Sequence, residues 1–189
     1  MPAGTKQARF EREVMPHLDA AYSLARWLLR NPHDAEDAAQ EASLRAYRFL
    51  DSFRGGNAKA WLLAIVRNCC FTQSRGRRPG SLDDTPAGAA GGVSAALAGS
   101  AEAYAMGLEP AASPEAALIE KDRRDLIDRC LLELPAEFRE VVVLRDLEGL
   151  MYKEICDVIQ APMGTVMSRL SRGRALLHKA VALHVPGGA

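Results

Sequence analysis

Apolar residues recur every three or four positions through the first part of the chain, which is the spacing of one face of an α-helix. The recurring positions are Phe10, Val14, Leu18, Ala21, Ala25 and Leu28. Asn31 and Pro32 then supply an N-cap and a first-turn proline for a second helix that runs through Phe49. A loop over residues 51–57 precedes a third helix, predicted to begin near Ala58. The pattern therefore predicts an all-α first part.

The last part of the chain predicts a helix-turn-helix. Leu134-Pro135 ends one helix, and a second covers residues 136–147 until Gly149 breaks it. A short helix over residues 152–159 and a tight connection follow. Pro162 suits the start of the final helix, because its missing N–H falls among the unpaired first-turn donors. Three short elements in this order are typical of a DNA-binding unit.

The final helix has one packing face and one cationic face. Successive residues of an α-helix are rotated by about 100°, so Val166, Leu170, Gly173 and Leu177 fall on one narrow stripe. We expect this stripe to pack inward. The opposite face is small and polar, with Gly164, Thr165, Ser168, Ser171, Arg172 and Ala175, and it is flanked by Arg169 and Arg174. Between Met163 and Lys179 there are four cations and no acid. This one-sided charge favours a DNA groove, and a basic helix that packs on another protein is the alternative.

Charge divides the chain into three parts, although the whole has zero net charge. Residues 1–79 carry a net charge of +5, residues 80–114 carry −4 without any Lys or Arg, and residues 115–189 carry −1. The middle segment holds 11 Ala and 6 Gly among its 35 residues. Because it has so few large apolar side chains, it is predicted to be a flexible linker between two domains.

Several classes of protein are disfavoured by the sequence. It has no apolar run of about 20 residues for a membrane helix and no secretory pattern, so a cytoplasmic location is expected. The cysteines at 69, 70, 130 and 156 lack Cys-x-x-Cys spacing, so we expect reduced, mostly buried thiols and no metal site. The four histidines are dispersed and no nucleophile or phosphate-binding motif stands out. Neither an enzyme nor a cofactor is expected.

Four motifs, in order and spacing, resemble the extracytoplasmic-function subgroup of bacterial RNA polymerase sigma factors. They are residues 34–41 (DAEDAAQE), residues 51–55 (DSFRG), Trp61-Leu62 with Asn68, and Gly164-Thr165-Val166 with Ser168-Arg169-Leu170. The resemblance implies a dissociable polymerase subunit that selects promoters and helps to open them. Residues 1–79 would be sigma region 2, residues 80–114 a linker, and residues 115–189 sigma region 4.

The resemblance implies a polymerase-docking role for the acidic second helix. Asp37, Gln40 and Glu41 would dock on the clamp helices of the largest polymerase subunit, and region 4 would hold the flap of the second-largest. A solvated helix face is the alternative for these acids. Relatives are usually held by an anti-sigma factor, so such a partner is also implied.

Region 2 would capture flipped bases of the −10 element, because a duplex hides the base edges that must be read. The resemblance assigns the capture loop to Ser52, Phe53, Arg54, Gly55, Gly56, Asn57 and Lys59. Asn68 would line the pocket, and Arg67, Arg75, Arg77 and Arg78 would bind phosphates. Trp61 is either a core residue or a residue near DNA.

Region 4 would read the −35 element through Thr165, Ser168, Ser171 and Arg172, with Arg169 and Arg174 on the groove walls and Tyr152 and Lys153 near the backbone. Four residues depart from the family pattern. One is Cys156, which replaces a small Ala at the helix crossing and should be tolerated sterically. Met151 removes a helix cap at about 1 kcal/mol, Met167 removes a basic contact, and Gly173 costs roughly 1 kcal/mol of helix propensity. Together these departures predict a weaker or more context-dependent reader of the −35 element. A conventional helix-turn-helix regulator remains the alternative.

Overall fold

The computed structural model describes residues 3–76 and 114–184, and side chains within 5–74 and 118–184. All elements in these ranges are helical. The N-terminal domain contains α1 (Ala3–Glu13), α2 (Leu18–Leu29), α3 (Pro32–Phe49) and α4 (Ala58–Gly76). The C-terminal domain contains α5 (Pro114–Glu133), α6 (Ala136–Val142), α7 (Tyr152–Ile159) and α8 (Met163–His184). The predicted all-α class is confirmed. The predictions for the linker before Pro114, for Arg77 and Arg78, and for the Arg75 side chain lie outside these ranges.

The first predicted helix is divided in two. The apolar spacing from Phe10 to Leu28 indicated one helix, but a 3₁₀ turn over Met15–His17 separates α1 from α2. Pro16 causes the division, because proline has no N–H for the helical ladder and its ring clashes with the preceding turn. The apolar face survives the break, since Val14, Ala21 and Ala25 are fully buried.

Small side chains let the N-terminal helices pack closely. Asn31 caps α3 as predicted, and its side chain accepts a hydrogen bond from the backbone N–H of His33 at 3.0 Å. On the inner face of α3, alanines are buried at positions 35, 38, 42 and 46. They lie against the apolar faces of α2 and α4, where Leu24, Leu62 and Leu63 are fully buried. This packing fixes α4 and the loop before it on one side of the domain.

The helix predicted over residues 136–147 is α-helical only to Val142. A π-helical turn covers Val143–Leu147, and the N–H of Leu150 bonds to the carbonyl of Leu144 at 3.0 Å. Gly149 follows with φ +71°, a conformation that glycine adopts without strain. The break at Gly149 is therefore where the sequence predicted it, and the wide turn before it was not anticipated.

Gly173 corrects one prediction from the sequence. We expected this glycine on the inward face of the helix and counted it as a loss of helix propensity. It lies where α6 crosses α8. A Cβ at this position would stand 2.8 Å from Cγ2 of Val142 and 3.1 Å from the carbonyl oxygen of Phe138. Glycine therefore permits the close approach of the two helices.

The two domains pack against each other, with α4 on α7 and α2 on α6. Their buried residues form one continuous hydrophobic cluster. Arg30 at the end of α2 donates to the carbonyl of Leu132 at 2.8 Å, and the buried Arg139 donates to the same carbonyl at 3.1 Å. Burial and the neighbouring Arg30 lower the pKa of Arg139 to about 10. Two arginines thus satisfy the exposed carbonyl end of α5.

Candidate nucleic-acid interface

Helix α8 presents the polar face that its sequence predicts. Val166, Leu170 and Gly173 are buried against the rest of the domain. Ser168, Ser171 and Arg172 are exposed on the opposite side, and Thr165 is half-buried. Ser168 Oγ donates to the carbonyl of Thr165 at 3.0 Å. Met167 shares the exposed side, 53% accessible, so an apolar side chain occupies part of this face.

The two arginines that flank this face are held by their own domain. Arg169 pairs with Glu137 of α6 at 3.1 Å. Arg174 pairs with Asp146 in the π-helical turn, its Nε donating to Oδ2 at 3.0 Å. The bond to Asp146 raises the pKa of Arg174. Arg169 thus braces the final helix against α6, and Arg174 braces it against the π-helical turn. Arg172 is exposed at the centre of the face.

The start of α7 keeps half of a capping box. Met151 has no side-chain oxygen for the N-cap role, as predicted. Its own N–H, however, donates to Oε2 of Glu154 at 2.7 Å, which satisfies one of the unpaired donors near the helix start. The cap is therefore reduced rather than absent. Beside it, Lys153 is exposed and Tyr152 lies under Arg145, whose guanidinium is 5.0 Å from the ring centroid.

The predicted capture loop is anchored by an aromatic pair and opened by two glycines. Phe53 is buried, and its ring lies 5.0 Å from the ring of the half-buried Trp61. Arg9 of α1 donates to the Phe53 carbonyl at 2.7 Å. Gly55 and Gly56 then adopt φ values of +95° and +100°, which disfavour residues with a Cβ. Trp61 thus packs at the edge of the core, directly behind the loop.

Other members of the predicted −10 surface differ in exposure. Arg54 at the tip of the loop and Asn68 on α4 are exposed. Ser52 is also exposed but donates its hydroxyl to the Phe49 carbonyl at 2.6 Å, which closes the turn before the loop. Asn57 caps α4 as predicted, its Oδ1 accepting from the N–H of Ala60 at 3.2 Å.

Three further members of the predicted −10 surface face carboxylates of the C-terminal domain. Asn57 Nδ2 donates to Glu154 at 2.8 Å. Lys59 Nζ lies 2.8 Å from both the carboxylate and the carbonyl of Glu148. On the next turns of the same helix, Arg67 Nε lies 2.6 Å from a carboxylate oxygen of Glu140 and its guanidinium stacks on the exposed Phe71.

These contacts are partly excluded from water. Glu140 is 3% exposed, and the Glu148 side chain is 7% exposed. Burial raises the pKa of Glu140, while the neighbouring Arg67 acts in the opposite direction. These pairs could not be recognised from the amino-acid sequence, because their members are 73 to 97 positions apart.

The acidic face of α3 is exposed on the far side of its buried alanines. Asp37, Gln40 and Glu41 are all accessible, and Glu41 pairs with Arg45 at 2.6 Å. Leu44 continues this face and is 65% exposed. Leu44 was not among the residues predicted from the sequence. It could have been recognised, because it lies three positions after Glu41 and four after Gln40, which places it on the same face of the helix.

The remaining chemistry of the described residues is sparse. Cys69, Cys70 and Cys130 are buried and Cys156 is half-buried, and all four are free thiols. Burial raises the pKa of Cys70 to about 12. Within residues described here, no cluster of three metal-ligating side chains occurs. No helix in the described ranges is both long enough and apolar enough to cross a bilayer.

Comparison with known proteins identifies the family. The model for sigma-70 region 2 matches residues 14–79, and the model for sigma-70 region 4 matches residues 124–177. The RNA polymerase sigma-H factor of Pseudomonas aeruginosa is 33% identical over 183 residues, which cover 94% of this chain and 88% of the relative. This chain belongs to the sigma-70 family of RNA polymerase sigma factors. The ECF RNA polymerase sigma-E factor of Escherichia coli is 36% identical over 151 residues, covering 78% of this chain and 74% of the relative, which supports membership of the extracytoplasmic-function subgroup.

Two solved structures share the fold of this chain. The sigma factor RpoE of Bartonella quintana, solved with the anti-sigma factor NepR, has a TM-score of 0.63 and 25% identity, covering 94% of this chain and 98% of that one. CnrH, solved with the cytosolic domain of CnrY, has a TM-score of 0.60 and 24% identity, covering 95% of this chain and 91% of that one. As a sigma factor, the chain binds core RNA polymerase and promoter DNA to initiate transcription. The enzyme and conventional-regulator alternatives are therefore set aside.

Proposed function

We propose that this sigma factor recognises promoters through two separate surfaces. Residues 1–79 form the −10 reader, residues 115–189 form the −35 reader, and residues 80–114 link them. The observation that supports this division is that one chain exposes two separate polar surfaces. Helix α8 exposes the hydroxyls of Ser168 and Ser171 with the guanidinium of Arg172, and α4 exposes the amide of Asn68 beside an exposed loop.

The −35 surface centres on Arg172. Ser168 and Ser171 are exposed beside it, and Gly164 adds no bulk, so the helix can approach base edges closely. Thr165, Tyr152 and Lys153 contact the groove margin and phosphates. Because Arg169 and Arg174 are already paired with acids, their contribution to DNA is secondary to that of Arg172. This arrangement supports a −35 reader of modest strength, in line with Met167 on the same face.

The −10 surface combines the loop over residues 52–57 with the exposed edge of α4. Gly55 and Gly56 shape the loop around a flipped base, and the Phe53–Trp61 pair supports it from behind. Asn68 offers a donor and an acceptor to a base edge. Arg54, Lys59, Arg67, Arg75, Arg77 and Arg78 supply cations to the strand backbone.

Polymerase docking is assigned to the exposed face of α3. Asp37, Gln40 and Glu41 lie on it with the exposed Leu44, a polar rim beside an apolar anchor, which suits a protein interface. We assign the clamp helices of the largest subunit to this face and the flap to the C-terminal domain. A cytoplasmic location follows from the partner, and an anti-sigma factor, as in the solved structure of RpoE from Bartonella quintana, is the expected inhibitor.

Reconstituted transcription tests the proposal. The purified chain is mixed with core polymerase and fragments of genomic DNA, and transcript start sites are mapped. We expect initiation from a small set of promoters that share −10 and −35 elements at a fixed spacing. A variant with Asp37, Gln40 and Glu41 replaced by Ala should lose transcription together with binding to core. Binding to core without any promoter-dependent transcript would contradict the proposal.

A further inference from the structure

Helix α1 contacts the loop over residues 52–57, although it precedes residue 14, where the match to sigma-70 region 2 begins. Nη2 of Arg9 donates to the Phe53 carbonyl at 2.7 Å, and Nε of Arg9 lies 3.1 Å from the carboxylate of Glu13. The Arg9 guanidinium is also 5.8 Å from the centroid of the Phe53 ring. Arg9 therefore holds both the backbone and the side chain of the loop's aromatic residue.

Lys6 holds the turn that leads into the loop. Its Nζ lies 2.9 Å from the carboxylate of Asp51 and donates to the carbonyl of Arg48 at 3.2 Å. The hydrogen bond from Lys6 lowers the pKa of Asp51. Lys6 and Arg9 are three positions apart and therefore share one face of α1. This face joins the end of α3, the turn and the loop.

Both ends of the loop are fixed. Arg9 holds it at Phe53, and Asn57 caps α4 by accepting from the N–H of Ala60 at 3.2 Å. Only residues 54–56 lie between these anchors, and two of them are glycines, which have more backbone freedom than other residues. The anchors restrict a segment that its glycines would otherwise leave free to adopt many conformations.

We infer that Lys6 and Arg9 are positioning residues for −10 recognition, because they hold the loop in the conformation that accepts a flipped base. This inference rests on the proposed function, which assigns base capture to the loop. It goes beyond that function because it gives α1 a part in promoter opening. A loop ordered in advance binds its base at a smaller entropic cost than one that is ordered on binding.

The exposure of these side chains favours an action through the loop over direct contact with phosphates. The Lys6 and Arg9 side chains are 20% and 25% exposed, and their nitrogens bond to groups of the protein. The Arg12 side chain of the same helix is 72% exposed and pairs with Glu13 at 3.1 Å. Arg12 therefore provides a matched control for charge on α1.

Three variants of the full chain test whether α1 holds the loop. R9M keeps an unbranched side chain but removes the donors, R9K keeps the charge and a donor, and R12M removes one charge away from the loop. Trypsin cleaves after Arg54, which is exposed at the loop tip, and mass spectrometry follows cleavage of this bond. We expect R9M to be cut about tenfold faster, as for the loss of one charge-assisted hydrogen bond. R12M should stay within about twofold of the native rate, and R9K should lie between.

The same variants, assembled with core polymerase, test the role in promoter opening. Permanganate reactivity is followed over time at rising holoenzyme concentration, on a promoter mapped by reconstituted transcription. We expect R9M to lower the opening rate at saturation about tenfold and to weaken discrimination among single-base variants of the −10 element. The half-saturating concentration and the preference at −35 should stay native. R9K should restore most of the opening rate.

Salt dependence separates positioning from DNA contact. A residue that binds a phosphate contributes about one unit to the slope of log affinity against log salt, so R9M should keep the native slope. A slope reduced by about one unit would overturn the inference, since Arg9 would then contact DNA directly. Equal losses of opening in R9M and R12M would also overturn it, because the effect would be one of net charge.

Native opening by R9M would overturn the inference as well, even if Arg54 is cut faster. If circular dichroism shows that R9M is unfolded, K6M removes only the contacts with the turn and should show a smaller change in the same direction. Failure of the native chain to open any promoter with competent core would instead refute the proposed function. Faster cleavage of R9M at Arg54 would then still show that α1 holds the loop.

Discussion

Gly173 and Met151 show that the effect of a single residue on stability cannot be predicted without knowing which residues it contacts. Both depart from the family pattern, and the sequence predicted a cost for each. Gly173 instead makes room for Val142 and the Phe138 carbonyl, a contact that no local pattern reveals. At Met151 the predicted loss holds for the side chain, but Glu154 restores one hydrogen bond. A contact across the fold decided the outcome at Gly173, and a local contact three residues along the chain decided the outcome at Met151.

Replacing Gly173 with Ala is expected to destabilise the protein. The gain in helix propensity, about 1 kcal/mol, is smaller than the cost of overpacking, about 1–3 kcal/mol. Thermal and urea unfolding of the full chain should show a net loss of about 1 kcal/mol. In a Val142→Ala background the same change should cost less, because the nearest atom has been removed; additive effects of the two changes would contradict the steric explanation.

Arg172 and Lys179 provide a matched pair for the −35 surface. Replacing Arg172 with Ala should weaken promoter binding by polymerase holoenzyme by about 1–3 kcal/mol and relax preference at −35 positions. Lys179→Ala removes the same charge from an exposed site farther along α8 and should leave sequence preference intact. Affinity measured across single-base variants of the −35 element separates the two. An identical profile for both variants would remove the base-reading role of Arg172.

The buried thiols are expected to be unreactive in the folded chain. The thiolate is the reactive form, and burial raises the pKa of Cys70 from 9.0 to about 12. Because the folded state favours the neutral thiol, this group's contribution to stability is complete below pH 9 and is lost as the pH rises towards 12. Alkylation by iodoacetamide at pH 8, followed by mass spectrometry, should modify the half-buried Cys156 first. Early modification of Cys70 would show that α4 opens locally.

At the scale of elements, the sequence predicted the helices better than their junctions. The short helix over Tyr152–Ile159 and the caps at Asn31 and Asn57 are found where spacing and capping residues indicated them. The division at Pro16 was open to prediction from proline chemistry. The π-helical turn over Val143–Leu147 was not, because the buried apolar run that leads into it, residues 141–144, has the same pattern in either helix type.

The start of α7 can be improved by one substitution. Met151 is 62% exposed, so Met151→Ser loses little burial and supplies the missing N-cap oxygen opposite Glu154. Completion of the capping box should raise the free energy of unfolding by about 1 kcal/mol. Met151→Ala is the control, since it removes the same thioether without adding an oxygen. Equal stabilities for Ser and Ala would show that Glu154 alone satisfies the helix start.

At the scale of the whole molecule, the sequence indicated two domains but not how they meet. Charge and composition separated residues 1–79 from 115–189, and motif order indicated a role for each part. The contacts of Arg67 with Glu140 and of Lys59 with Glu148 could not be predicted, because a chain with 24 basic and 24 acidic residues allows many such pairings. Only packing selects among them.

We propose that the two domains do different work on one promoter: α4 and its loop open the −10 element, while α8 anchors the −35 element. Permanganate footprinting of unpaired thymines, with holoenzyme raised to saturation, tests this most directly. Asn68→Ala is expected to leave the −10 thymines unreactive even at saturation, because base capture fails after binding. Arg172→Ala should reach native reactivity once enough holoenzyme is present. Equal loss of reactivity at saturation in both variants would contradict the division of labour.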